Sequence, residues 1–100
     1  MNSVVFLRLD NLLEGFMGKR DLVVVFTKPN CDSCLKLIPF LYKIDSQITV
    51  AVVDSEKCVE DMKYIPNSIN TKYPLILYFK FGKFVRELTS DDIKKIELYV

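Results

Sequence analysis

Residues 22–34 read LVVVFTKPNCDSC, and this stretch decides the fold. Residues 22–27 are apolar on both faces, which is typical of a central parallel strand covered by helices on each side. Pro29 and Asn30 then mark a turn. After the turn comes Cys31, and apolar residues recur at helical spacing from there: Cys34, Leu37, Ile38 and Leu41. The stretch therefore predicts a strand, a turn and a helix, with two cysteines where the helix begins.

The chain outside this stretch shows the same alternation of strands and helices. Apolar runs predict strands over residues 3–9, 48–53, 75–81 and 84–88. Helical spacing predicts three further helices. The first of these helices carries Leu9, Leu12, Leu13, Phe16 and Met17. The second is capped by Ser55 and buries Cys58, Met62 and Ile65. The last starts with a capping box at Thr89 and continues through Ile93, Ile96 and Val100.

The connections between these elements define the fold class. Strands joined by helices should run parallel with right-handed crossovers, and the last two strands, joined around Gly82, should form an antiparallel hairpin. Pro39 lies inside the helix that follows the cysteines and should kink it. We therefore predict one α/β domain over residues 1–100: a three-layer sandwich with a mixed sheet of about five strands and helices on both faces.

Composition excludes several classes of function. The net charge is +1, so no long-range field would gather nucleic acid or a membrane surface. The chain has no histidine, the commonest general base and metal ligand. Residues 1–8 lack the pattern of a signal peptide, and no apolar run is long enough to span a membrane. We expect a cytoplasmic protein, in a compartment where thiols are kept reduced. The odd count of three cysteines also argues against a structural disulfide framework.

The pair Cys31 and Cys34 is the motif that carries chemistry. A cysteine at a helix N-terminus gains thiolate character from the free backbone N–H groups, and the thiolate is the nucleophile of disulfide exchange. The second cysteine lies one turn away, so that its sulfur can close a disulfide with the first. A zinc site is an alternative, but Cys58 is the only further cysteine and four ligands are needed. Packing of both cysteines as small apolar residues is the other alternative.

With Cys31 and Cys34, three further spacings resemble the thioredoxin family. Pro39 stands five residues after Cys34, where thioredoxins have their helix-kinking proline. The dipeptide Tyr73-Pro74 precedes a strand close to the position of the family's cis-proline, and Gly82 follows eight residues later. The resemblance covers essentially the whole chain. It implies a thioredoxin-like fold with Cys31 as nucleophile and Cys34 as resolving residue.

The resemblance also implies how substrate and electrons reach the cysteines. The backbone of Tyr73 would pair with the substrate chain, Pro74 would shape the groove, and Asn30 would contact the substrate in place of the family's tryptophan. The protein would bind no cofactor or metal and act as a monomer. Its substrates would be protein disulfides, ribonucleotide reductase among them, with electrons from an NADPH-dependent thioredoxin reductase or from glutathione.

The chain departs from the family around the cysteines. Asp32 and Ser33 replace the usual Gly-Pro, and the Asp32 carboxylate should disfavour the Cys31 thiolate, whereas Ser33 can donate a hydrogen bond to it. Val25 stands where the family has a buried aspartate, and the family's nearby lysine falls on or close to Val50. Asp54, at the end of a strand, is a candidate substitute for the missing acid, although a turn role explains it as well.

Two other functions stay open. Lys28, three residues before Cys31, resembles the glutaredoxin lysine that contacts glutathione, which favours a glutathione-dependent thioltransferase. Against this, glutaredoxins usually have Val where this chain has Tyr73. A non-catalytic adaptor with a thioredoxin fold is the other alternative, although an adaptor needs neither cysteine. Cys58 is interpreted as a small buried apolar residue.

Overall fold

The strand that leads to the cysteines lies at the centre of the sheet. The computed structural model describes residues 4–7 and 13–96. Strand β2 (Asp21–Thr27) pairs in parallel with β3 (Thr49–Asp54) and antiparallel with β4 (Leu75–Lys80). Residues 22–26 are all buried, as the apolar run predicts. The central strand therefore fixes where the following turn emerges from the core.

The complete sheet is mixed and has five strands in the order β1-β3-β2-β4-β5. Strand β1 (Val4–Leu7) pairs in parallel with β3, and β5 (Lys83–Leu88) pairs antiparallel with β4. The predicted directions, with three parallel strands and a final antiparallel hairpin, are confirmed. The outer ends of the predicted first strand, Ser3, Arg8 and Leu9, lie outside the described residues.

Side chains alternate along β2 between two apolar clusters, one on each face of the sheet. Val23 and Val25 pack with helices α1 (Asp32–Leu41) and α2 (Ser90–Ile96) through Leu37 and Ile93. The opposite face packs against two short 3-10 helices, η1 (Leu13–Phe16) and η2 (Val59–Tyr64). The three-layer arrangement with helices on both faces is confirmed.

The capping box of α2 is present as the sequence predicts. The backbone N–H of Thr89 donates to Oδ2 of Asp92 at 2.8 Å, and the N–H of Asp92 donates to Oγ1 of Thr89 at 3.1 Å. This hydrogen bond from Thr89 is also the main reason why the pKa of Asp92 lies below its usual value. Ile93 is buried, whereas the side chain of Ile96 and the whole of Val100 lie outside the described part of the chain.

The predicted helix from Ser55 is wrong in its start and in its type. Residues 55–57 form a turn, because Oδ1 of Asp54 accepts hydrogen bonds from the N–H groups of Glu56 and Lys57 at 2.9 and 3.3 Å. Local side-chain acceptors of this kind compete with helix formation. The helical turn, η2, begins only at Val59 and is of the 3-10 type. Likewise, the first predicted helix is described only as the 3-10 turn η1, and Leu9 and Leu12 lie outside the described residues.

The hairpin between β4 and β5 turns at a position that requires glycine. Gly82 has a φ of +79°, in the left-handed region. A Cβ atom there would lie 2.9 Å from the backbone oxygen of Met17. The turn is thus packed against the end of η1 and holds β5 at the edge of the sheet. Within residues 4–7 and 13–96, no helix has the length and apolar character of a membrane-crossing segment.

Candidate active site

Cys31 and Cys34 form a disulfide at the start of α1. Their Cα atoms are 5.3 Å apart, and Cys31 is the N-cap residue of the helix. The chain reaches this position because β2 ends at Thr27 and the turn over residues 28–30 leads directly into the helix. The predicted strand, turn and helix therefore bring the two sulfurs into bonding contact.

The N-terminus of α1 directs one backbone hydrogen-bond donor at the Cys31 sulfur. The backbone N–H of Cys34 donates to Sγ of Cys31 at 3.2 Å, and the N–H of Leu35 donates to the Cys31 carbonyl at 3.2 Å. The Cys34 donor, together with the helix dipole, favours a negative charge on the cap sulfur. Asp32 is exposed in the first turn and places a carboxylate beside it, which opposes this effect. Among the described residues, Ser33 donates no hydrogen bond to the Cys31 sulfur.

A groove of about 290 Å³ gives access to both sulfurs. Cys31 keeps 8% of its surface exposed and Cys34 keeps 3%, so Cys31 is the more accessible of the two. The groove is lined by residues from three strands, the turn and α1, including Phe6, Thr27, Asn30, Leu35 and Val52. Cys31, which the sequence predicts to be accessible at the helix tip, is thus largely covered and is reached through this groove.

Asn30 occupies the turn immediately before the nucleophile. It is exposed, lines the groove and has a φ of 60°. Asparagine is one of the residues that adopt the left-handed region readily, because its short side chain can hydrogen-bond locally. A backbone role in directing the chain into α1 therefore accounts for Asn30 in addition to the predicted contact with substrate.

Tyr73 and Pro74 lie on the other side of the helix start. The Tyr73–Pro74 peptide bond is cis, as the sequence predicts. Both residues line a second groove, of about 240 Å³, together with Ser33, which lies between the two cysteines in the chain. Nζ of Lys28 lies 5.5 Å from the centroid of the Tyr73 ring, which links the two grooves. The structure therefore brings all five predicted site residues around the start of α1: Asn30, Cys31, Cys34, Tyr73 and Pro74.

The wall behind the disulfide is apolar in the region where the thioredoxin family has a buried aspartate and a nearby lysine. Val25 is 1% exposed, and it pairs with Val52 on β3 rather than with Val50, which pairs with Val23. The valine that faces the groove next to Val25 is thus Val52, close to Val50, where the resemblance places the family's lysine. No ionisable side chain stands on β2 at this point.

Asp54 lines the same groove from the end of β3 and is 7% exposed. Its carboxylate accepts hydrogen bonds from the N–H groups of Glu56 and Lys57. These bonds give Asp54 the turn role that the sequence offered as one explanation. Its place in the groove wall also leaves it as a carboxylate near both cysteines.

Cys58 is removed from this site. It is fully buried in the apolar cluster on the opposite face of the sheet, and its thiol contacts the carbonyl oxygen of Leu7 at 3.6 Å. In the part of the chain that the structure describes, no group of three histidine, cysteine or acidic side chains could hold a metal ion. The position of Cys58 agrees with its interpretation as a small buried residue.

Phe6 and Val52 are among the groove residues that the sequence does not single out. Phe6 comes from β1 and Val52 from β3, and both read there only as members of apolar strands. Their place beside the disulfide depends on the parallel pairing of β1 and β3, with Phe6 opposite Val52. Only a correct strand register would have identified them.

Comparison with known proteins places this geometry in a class. No family model matches the chain. It is 32% identical over 97 residues to protein disulfide-isomerase A5 of Mus musculus and 34% identical over 96 residues to the same protein of Bos taurus. Each match covers 89% of this chain, but the chain spans only 18% of the length of these relatives.

Solved structures match over nearly the whole chain. The oxidised thioredoxin of Plasmodium falciparum has a TM-score of 0.78 and 21% identity, covering 97% of this chain and 98% of that one. The thioredoxin of Schistosoma mansoni has a TM-score of 0.74 and 24% identity, covering 97% and 92%. Human ERp44 in a zinc-bound form has a TM-score of 0.72 and 20% identity, covering 97% and 30%.

The chain is thus a thioredoxin-fold protein with a disulfide-forming Cys-x-x-Cys pair at the start of its first long helix. The resemblance to the thioredoxin family that the sequence motifs carry is confirmed by these structural neighbours and by the disulfide-isomerase relatives. In general terms, fold, disulfide and relatives together support thiol–disulfide oxidoreductase chemistry.

Proposed function

We propose that this protein reduces protein disulfides by dithiol exchange through Cys31 and Cys34. The observation that carries the proposal is the disulfide at the N-terminus of α1, with a backbone N–H directed at the Cys31 sulfur and a groove leading to it. Of the two cysteines, Cys31 has the more accessible residue surface and sits at the N-cap. We therefore assign it as the nucleophile and Cys34 as the resolving residue.

The exchange proceeds in two displacement steps from the reduced protein. The Cys31 thiolate attacks one sulfur of the substrate disulfide, which forms a mixed disulfide and releases the other substrate sulfur as a thiolate that takes up a proton. Cys34 then loses its proton, and its thiolate attacks Sγ of Cys31. This step forms the Cys31–Cys34 disulfide and releases the second substrate thiolate, so that two electrons have moved to the substrate.

The substrate chain would lie across the start of α1. Tyr73, Pro74 and Ser33 line one side of this region, and Asn30 lines the other. A backbone contact at Tyr73 and a groove shaped by Pro74 follow from the likeness to thioredoxins. In this arrangement the substrate sulfur approaches Cys31 from the side away from the apolar wall at Val25.

Electrons must then be returned to the pair. The proposal includes an NADPH-dependent reductase as the donor, a cytoplasmic location, and an enzyme such as ribonucleotide reductase as an acceptor. A measured reduction potential close to that of thioredoxins, about −270 mV, would support this donor, whereas a value near about −200 mV would favour glutathione.

Reduction of insulin with dithiothreitol as electron donor tests the proposal. The wild-type protein should accelerate precipitation of the insulin B chain, and Cys31→Ser should abolish the acceleration. Cys58→Ser is the matched control, because this thiol is buried on the other face of the sheet, and it should keep full activity if the variant is folded. Equal rates for Cys31→Ser and wild type would overturn the proposal and leave the adaptor alternative.

Glutathione-dependent thioltransfer is a second candidate, favoured by the position of Lys28. Its ammonium group lies beside Tyr73, and the residue lines the groove that leads to Cys31. A cation there could bind a glutathione carboxylate. Turnover with glutathione alone, together with a loss of that turnover in Lys28→Ala, would support this function over the first.

Disulfide isomerisation is a third candidate, and it rests on the name of the curated relatives. An isomerase rearranges non-native disulfides without net reduction. Recovery of activity from a scrambled substrate protein, measured beside insulin reduction, separates the two. Faster recovery at an unchanged thiol count would favour isomerisation.

A further inference from the structure

The turn of the β4–β5 hairpin carries a phenylalanine where its backbone favours a small polar residue. Lys80 and Lys83 are strand partners, so Phe81 and Gly82 form a two-residue turn, and both have a positive φ, 49° and 79°. Turns of this kind prefer asparagine before the glycine, because bulky side chains are disfavoured in the left-handed region. The Phe81 side chain is nevertheless 65% exposed. Neither backbone conformation nor burial within the chain therefore accounts for this ring.

Two further apolar side chains lie beside the turn. Phe84 is 39% exposed and Val85 is 48% exposed, both in the edge strand β5. The Phe84 ring contacts Phe79 edge to face, with centroids 5.9 Å apart, so the core covers only part of it. We call Phe81, Phe84 and Val85 the hairpin tip. It gathers half of the six large apolar side chains that are exposed in the described residues.

Cations frame the hairpin tip. Lys80 and Lys83 flank the turn in the two strands. The N–H of Phe81 donates to the carbonyl of Arg20 at 3.0 Å, which places Arg20, and Lys19 before it, beside the turn. All four cations are exposed, and none of the three lysines forms an ion pair within residues 4–7 and 13–96.

The acids near the hairpin tip are fewer than the cations. Asp21 accepts a hydrogen bond from Tyr78 and lies 3.6 Å from Arg20. The Asp21 side chain is only 18% exposed, whereas that of Arg20 is 72% exposed. Glu14 in η1 and Asp45 in the loop before β3 are exposed, but they lie outside the hairpin. The turn itself therefore presents apolar side chains between positive charges.

We propose that the hairpin tip docks the protein on an anionic lipid membrane. Apolar side chains enter the boundary between headgroups and acyl chains, while lysine and arginine meet anionic headgroups. The net charge of +1 supplies no long-range attraction, so the contact is local and needs both kinds of side chain. Residues 80–86 are all exposed and form a projection, which has no walls to hold a peptide. Val85 is aliphatic and offers no face on which a nucleic-acid base could stack.

The hairpin tip and the cysteines lie at opposite ends of the sheet. Strand β2 begins at Asp21, beside the turn, and ends at Thr27, just before the segment that leads to Cys31. A strand of this length spans about 20 Å. A docked protein would thus hold Cys31 away from the bilayer, and the inference does not rest on the proposed function.

Co-sedimentation with lipid vesicles tests the inference. The full chain is mixed with vesicles of phosphatidylcholine and phosphatidylserine, about three to one, and should sediment with them. Vesicles of phosphatidylcholine alone should bind it about tenfold more weakly. Salt at about 1 M should release most of the protein from the anionic vesicles, because charges are then screened beyond about 3 Å.

Substitutions locate the contact. Phe81→Asn should lower the partition coefficient about tenfold, while its thermal midpoint stays the same or rises, because asparagine suits the positive φ. Val59→Asn removes a side chain that is 61% exposed in η2 and should leave binding unchanged. Lys83→Glu should lower binding about fivefold. Lys57→Glu, at an exposed lysine outside the hairpin, should not.

Three outcomes would overturn the inference. They are no sedimentation of the wild-type protein, equal sedimentation of Phe81→Asn and wild type, and binding to a single-stranded oligonucleotide without binding to the anionic vesicles. Cys31→Ser should bind vesicles as the wild type does, and Phe81→Asn should reduce insulin at the wild-type rate without vesicles. Failure of the docking proposal is therefore distinguishable from failure of the proposed function.

Discussion

The backbone N–H of Cys34 donates a hydrogen bond of 3.2 Å to the sulfur of Cys31. The residue that completes the exchange thus also supplies a donor to the residue that starts it. In the reduced protein the same donor can hold a negative charge on Cys31, because hydrogen bonds to charged acceptors are the stronger ones. The reactivity of Cys31 then depends on the balance between this donor and the neighbouring acid.

Replacing that acid should raise the reactivity of Cys31. Asp32→Asn removes a carboxylate from the first turn of α1, and we expect about a threefold higher rate of alkylation by iodoacetamide at pH 7. Glu60→Gln, in η2 on the other face of the sheet, is the control and should leave the rate unchanged. A slower reaction in Asp32→Asn would show that the carboxylate assists Cys31.

The packing of α1 against the sheet should be needed for stability. Leu37 is 2% exposed in the cluster with Val25, so that Leu37→Ala should lower the free energy of unfolding by about 2–4 kcal/mol. Leu35, two residues earlier, is 64% exposed, and Leu35→Ala should change the free energy of unfolding by less than about 0.5 kcal/mol. Urea denaturation of both variants checks the difference, and equal losses would place Leu37 outside the core.

The hairpin turn should tolerate no side chain at Gly82. Gly82→Ala should cost about 1–2 kcal/mol, because its φ is +79° and the added carbon would crowd the backbone of Met17. Gly18→Ala serves as the control, since a Cβ there meets nothing within 4 Å. Thermal unfolding should show a lower midpoint for the first variant alone. A similar midpoint for both would mean that the turn relaxes without loss.

Tyr78 should make stability depend on pH in alkali. Its hydroxyl donates to Oδ1 of Asp21 at 2.6 Å, and this bond, followed by burial, raises the pKa of Tyr78 above 10.0. The folded state holds the Tyr78 proton more tightly than the unfolded state does. The stability that this hydrogen bond contributes is therefore complete below pH 10 and is lost as the pH rises through the pKa of Tyr78 in the folded state.

Tyr78→Phe tests this dependence. The variant should be less stable at pH 8 by about 1 kcal/mol and should lose less stability than wild type between pH 9 and pH 11. Tyr42→Phe, at an exposed tyrosine on the end of α1, should follow the wild-type curve. Parallel curves for Tyr78→Phe and wild type would contradict the assigned hydrogen bond.

Much of the fold could be predicted because local and long-range signals agree along the central stretch. The apolar run before Cys31 has no polar residue to expose, so only a buried strand satisfies it. The capping residues Thr89 and Asp92 likewise define the start of α2 by the hydrogen bonds that they offer. These elements need no knowledge of their neighbours.

Other elements depend on contacts that the sequence pattern does not encode. The helical pattern places the start of η2 too early, because the Asp54 carboxylate accepts hydrogen bonds from two backbone N–H groups and holds residues 55–57 in a turn. Val52, rather than Val50, lies opposite Val25 because the strand register depends on both partners. Phe6 enters the groove for the same reason. The cysteines could thus be assigned from the sequence, whereas the walls of their groove could not.

Trapping of a mixed disulfide tests the central claim most directly. The reduced Cys34→Ser variant is incubated with a protein disulfide, and the covalent product is digested and analysed by mass spectrometry. We predict a stable adduct joined through Cys31, with none in the Cys31→Ser variant. An adduct through Cys58, or no adduct in Cys34→Ser while dithiothreitol reduces the same substrate, would contradict the assignment of Cys31 as the nucleophile.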